Sequence, residues 1–93
     1  KRLVADLEVV EIECLGVPAA LVEQLRQHPK VDAVHVENRE QTQVLTVQAP
    51  AGAELVQEFL HILEGVRVQK VITRQPTLED AYIKLVGKEA LNV

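Results

Sequence analysis

The order in which hydrophobic periods change along this 93-residue chain predicts an α+β domain, β-α-β-β-α-β with one further helix at the end. Three observations carry that prediction. Apolar residues recur with a period of two in four short segments and with a helical period in the segments between them. Pro or Gly stands near most of the boundaries, as the four glycines and four prolines are spread along the chain rather than clustered. Finally, 47% of the residues are apolar although there is one Phe, one Tyr and no Trp, so the interior is built from Val, Leu, Ile and Ala, which suits strands packed under short helices.

The first strand spans Glu8 to Leu15, with Val10, Ile12 and Cys14 alternating against Glu11 and Glu13, and ends at Gly16. Val17-Pro18 opens a helix whose apolar face is Leu21, Val22 and Leu25. His28-Pro29 closes it, because Pro29 has no backbone N–H for the helical ladder. Val31 to Arg39 is the second strand, Asn38 to Gln41 a polar turn, and Thr42 to Ala49 the returning strand, with Leu45, Val47 and Ala49 alternating against Val44, Thr46 and Gln48. Pro50-Ala51-Gly52 breaks that hairpin. A second helix over Ala53 to Glu64 places Leu55, Val56, Phe59, Ile62 and Leu63 on one side, with Phe59 at the centre of the core, and Gly65 ends it. Val66 to Arg74 is the last strand.

This order has a compact solution in the ferredoxin-like sandwich, a four-stranded antiparallel sheet with both helices on one face. There the first and last strands are neighbours, so Glu8, Glu11 and Glu13 would meet Arg67, Lys70 and Arg74 across the pair. The terminal helix is the element that the sandwich does not require. It can cover the open sheet face or bind something else.

Gln75 to Lys88 contains a complete helix signal. Pro76 keeps Gln75 out of helical geometry, Thr77 is a good N-cap, and Asp80 sits where a capping-box partner would. Glu79 and Asp80 lie at the positive end of the helix dipole. Leu78, Ala81, Tyr82 and Leu85 share a face, and Gly87 lets the chain leave the helix.

Chemistry is sparse. No Gly-x-x-x-x-Gly-Lys-Ser/Thr loop is present, so the chain has no Walker site for ATP. His28, His35, His61 and Cys14 lack the close ligand spacing of zinc motifs, so no metal site is expected. His28 is read as a last-turn residue whose partial charge suits the helix dipole, His61 as solvent-facing, and Cys14 as a small buried apolar residue rather than a nucleophile. Glu79 and Asp80 point in different directions on a helix and are explained by capping, so no catalytic residue is assigned. A net charge of −4 argues against a nucleic-acid surface. The single cysteine excludes an intrachain disulfide and points to a reducing cytoplasm, and no apolar run reaches the roughly 18 residues of a spanning helix.

The string Pro76-Thr77-Leu78-Glu79-Asp80-Ala81-Tyr82-Ile83-Lys84-Leu85-Val86-Gly87 resembles the end of many ATP-binding subunits of bacterial ATP-binding cassette transporters of exporter type. In that family it usually reads Pro-Ser/Thr-Leu-Glu-Asp-Val-Phe-Leu-x-Leu-Thr-Gly. Here Ala81 replaces Val, Tyr82 Phe, Ile83 Leu and Val86 Thr, which keeps the apolar or aromatic character but loses the Thr hydroxyl. The preceding layout also fits the C-terminal accessory domain of those subunits.

The resemblance implies one non-catalytic regulatory or dimerisation domain over residues 1–93, with 1–7 as the linker from an N-terminal ATPase domain and 76–88 as the capped helix. That this chain opens on Lys1 without a methionine agrees with such a setting. ATP and Mg would belong to the preceding domain, and this fragment would hold no cofactor. Its partners would be that ATPase domain, a second copy of the subunit and the membrane permease, at the cytoplasmic face and without membrane insertion. Leu78, Glu79, Asp80, Tyr82 and Leu85 are the candidate interaction residues; for Leu78 and Leu85 docking onto the domain's own sheet is the preferred reading, and for Tyr82 docking and partner contact stand as equal alternatives. A small-molecule sensor of ACT type is the alternative, with its site at the Leu15-Gly16-Val17-Pro18 turn, where there is only a single Gly. An acyl-phosphate hydrolase on the same fold would need a cationic cradle in that loop, which is lacking.

Overall fold

The computed structural model describes residues 7–80, in the order β1 (Leu7–Cys14), α1 (Ala19–Arg26), β2 (Ala33–Asn38), β3 (Gln43–Pro50), α2 (Val56–Ile62) and β4 (Val68–Arg74). Residues 78–80 begin a third helix. The four strands form one sheet in the order β2-β3-β1-β4, antiparallel throughout, which is the arrangement of the ferredoxin-like sandwich.

One side of this sheet carries the hydrophobic core. Val10 and Ile12 of β1 pair with Val47 and Leu45 of β3, which pair in turn with Val34 and Val36 of β2. Val22 and Leu25 of α1 and Leu55, Phe59 and Leu63 from α2 and its flanks close over them. Phe59 is fully buried, as its position in the pattern requires. The two helices are also joined by His28, whose Nε2 lies 2.8 Å from Glu58 Oε1 and whose ring stands edge-on to Phe59.

Several boundaries differ from the sequence expectation, each for a local reason. Leu7 belongs to β1 and is buried, so it is not linker. The second helix starts at Val56 rather than Ala53, because Gly52 and Glu54 both adopt positive φ, 80° and 55°, and a left-handed residue ends or precedes a helix rather than sitting inside one. The hairpin closes one residue late, Arg39 donating its N–H to the Thr42 carbonyl while Asn38 still pairs with Gln43. At the end of β4 nearest Arg67 the register slips between Glu13 and Cys14, and Gln69 is the extra residue. His28 lies beyond α1, which ends at Arg26. Its Nδ1 accepts the Lys30 N–H, so the ring serves the turn after the helix rather than the helix's last turn.

Candidate interaction site

The second face of the sheet is formed by Leu7, Val9, Glu11 and Glu13 of β1, by Val44, Thr46 and Gln48 of β3, by Ala33, His35 and Glu37 of β2, and by Lys70, Ile72 and Arg74 of β4. Alternation in β3 predicts Val44, Thr46 and Gln48 opposite the core, and they are, but all three are buried as well. β3 lies inside the sheet with both edges paired, and its residues are buried on both faces as well. A buried glutamine on such a strand needs partners, and Gln48 Nε2 donates to the backbone carbonyl of Asp80 at 2.8 Å.

Asp80 is the hub of this face. Its side chain is only 3% exposed, and its carboxylate accepts from Arg74 Nη1 at 2.7 Å and Nη2 at 3.2 Å, a two-pronged clamp. It also accepts from the Thr77 backbone N–H at 2.7 Å and the Thr77 hydroxyl at 3.0 Å, while the Asp80 N–H reaches back to Thr77 Oγ1. The capping box expected of Thr77 and Asp80 is therefore present, with the shorter Asp doing the work more often given to Glu. Burial alone would push the Asp80 carboxyl up, but the bonds from Arg74 and Thr77 outweigh it and hold the group below its ordinary value. Asp80, and to a smaller extent Glu11, push the Arg74 guanidinium up.

Arg74 has a second carboxylate, Glu11 of β1, with Nε 2.6 Å from Glu11 Oε2. Arg74 stands opposite Val9, so this pair is diagonal across the ladder. Of the charge pairing expected between the first and last strands, Arg74 with Glu11 is formed and Lys70 lies directly opposite Glu13. Glu8 is out of phase with Glu11 and Glu13 and lies toward the helix-covered side, where it lines a groove of about 340 Å³ with Val10, Leu55 and Phe59. Arg67 precedes β4 and contributes its carbonyl to the Leu15 N–H.

The candidate interaction residues separate. Asp80 is an internal clamp. Glu79 is exposed, and Leu78 is 90% exposed, so Leu78 does not dock onto its own sheet as the helical stripe suggested. The physical reason is rotational: with Asp80 turned into the sheet, the residue two before it faces away. Tyr82, Leu85 and Gly87 lie outside the described residues. Sequence reasoning missed Arg74 and Gln48 as partners of the helix start. For Arg74 the available signal was a cation shortly before a capping carboxylate, whereas Gln48, which reaches the Asp80 backbone carbonyl from a distant strand, carried none.

His61 is exposed as expected, and Cys14 is fully buried, its thiol pushed up by desolvation and by neighbouring Glu13. Among the described residues no group of three His, Cys, Asp or Glu is placed to hold a metal ion, and no helix is long and apolar enough to cross a membrane. No family model matches the chain, and no curated protein matches it.

Proposed function

We propose that this chain is the non-catalytic C-terminal accessory domain of the ATP-binding subunit of an ATP-binding cassette exporter, acting as a regulatory and dimerisation module. The observation that carries the reading is the geometry of Leu78-Glu79-Asp80. Asp80 fixes the helix start from below while an apolar and an acidic side chain are presented outward. A leucine so exposed at a pinned position contributes nothing to its own fold, and contact with another surface would bury it. In this reading nucleotide and Mg are bound by a preceding ATPase domain, and two subunits closing around ATP would bring Leu78 and Glu79 against the neighbouring domain or subunit. Differential contact between the open and closed states is all that coupling needs.

The test is Leu78→Ala in the full-length parent, comparing ATPase activity and subunit pairing with the thermal stability of the domain. Loss of pairing or coupling at unchanged stability is expected. Unchanged activity and pairing, or an upstream reading frame that lacks a phosphate loop, would sink the proposal.

The sensor reading is supported by one feature, a hollow of about 270 Å³ beside the first loop, lined by Val17, Ala19, Val22, Glu23, Val36 and Gln43. A metabolite that raises the unfolding temperature with the logarithm of its concentration would move the argument to that hollow.

A further inference from the structure

We propose that the Arg74–Asp80 clamp is a releasable joint, through which the turn of residues 77–80 leaves the second sheet face as a unit while the rest of the domain stays folded. Four observations carry this. Within residues 77–80 the attachment is polar: only Asp80 is buried, and its bonds to the sheet are ion-pair and hydrogen-bond contacts to Arg74 and Gln48. Release does not strand the guanidinium, because Glu11 already holds Arg74 Nε and keeps it paired. Glu11 and Asp80 share that one cation, so closure brings two like charges together and opening separates them. Gln48 Oε1 is buried and finds no partner among the described residues, so the closed joint carries an unsatisfied acceptor that water would satisfy on opening.

Closed and open therefore each have a compensation that the other lacks, which is what a two-position element requires. The regulatory use of the joint rests on the proposed function, since a partner that grips Leu78 and Glu79 would bias the joint in one direction. The joint itself does not rest on that reading.

The experiment is hydrogen exchange by nuclear magnetic resonance on the 93-residue chain, which reads the joint without any parent protein. The probe is the Gln48 side-chain amide, whose acceptor is the Asp80 carbonyl across the joint, with β3 backbone amides as the reference; the Thr77 N–H bonds Asp80 within the turn and stays bonded when the turn leaves as a unit. In the wild type the Gln48 side-chain amide opens at least about tenfold more readily than β3. Arg74→Gln raises that opening by about tenfold with β3 unchanged, and Glu11→Gln lowers it, because Asp80 then keeps the cation to itself. The proposal is overturned if the Gln48 amide exchanges only with β3, as global unfolding demands, or if Glu11→Gln raises opening as Arg74→Gln does. Should Arg74→Gln fail to fold, the wild-type comparison and Glu11→Gln still decide.

Discussion

The two faces of the sheet are held by different physics. On the helix-covered face Val10, Ile12, Leu45, Val47 and Phe59 interlock, and attachment of the helices depends chiefly on removing apolar area from water, with the His28–Glu58 pair as a polar addition. On the second face buried Leu7, Val9 and Val44 lie near buried Gln48 and Asp80, and the helix start is fixed by a handful of directed bonds around one carboxylate. Apolar packing is non-directional and cumulative, so it defines a core. A hydrogen-bonded ion pair is directional and can be undone by a single change of charge, so it defines a position and allows it to be altered.

The sharpest way to break the comparison is to damage the first face. Phe59→Ala removes the largest fully buried side chain and is expected to cost about 3–5 kcal/mol, lowering the midpoint of urea unfolding as one cooperative transition. If only the second face loosens while the sheet persists, the assignment of the core to α2 is wrong.

Damage to the second face comes next in size. Asp80→Asn keeps the shape but removes the charge that Arg74 clamps, at an expected cost of about 1–3 kcal/mol, toward the lower end because the Arg74 side chain is about a third exposed. The cost should depend on pH in a known direction. Asp80 is held below its ordinary value when folded, so its stabilisation is complete above the unfolded carboxylate pKa and is lost as pH falls through the lower folded value. Wild type and Asp80→Asn should thus differ in thermal stability at neutral pH and converge in acid. A gap of constant size from neutral to strongly acidic pH would show that Asp80 acts by shape alone.

The first face was far more legible in the sequence than the second, for a reason that particular residues make plain. Val10, Ile12, Leu45, Val47 and Phe59 announce themselves by period, since apolar burial leaves a repeating signature whatever the register. The capping box was equally readable because Thr77 and Asp80 are three residues apart. Gln48 and Arg74 reach Asp80 from β3 and β4, and nothing local to Gln48, 32 positions from Asp80, marks it as a partner of the helix start. The orientation of Leu78 was misread for the same cause: the stripe Leu78, Ala81, Tyr82 and Leu85 has helical spacing, but which way a short helix turns is set by its strongest anchor, and here that anchor is Asp80. Glu54 at φ 55° shortened α2 without any Gly or Pro at that position to give notice.

The smallest expected effect is the most informative about use. Leu78→Ala should change the stability of the isolated domain by less than about 0.5 kcal/mol, since a side chain 90% exposed has almost no contact to lose. The measurement is a denaturant midpoint at unchanged slope. A loss approaching that of Asp80→Asn would mean that Leu78 is buried in solution and would return it to the sheet. A silent substitution in the domain, set beside a damaged full-length parent, separates contact with a partner from folding, because Asp80, two residues on, governs the position of the turn and Leu78 only what that turn presents.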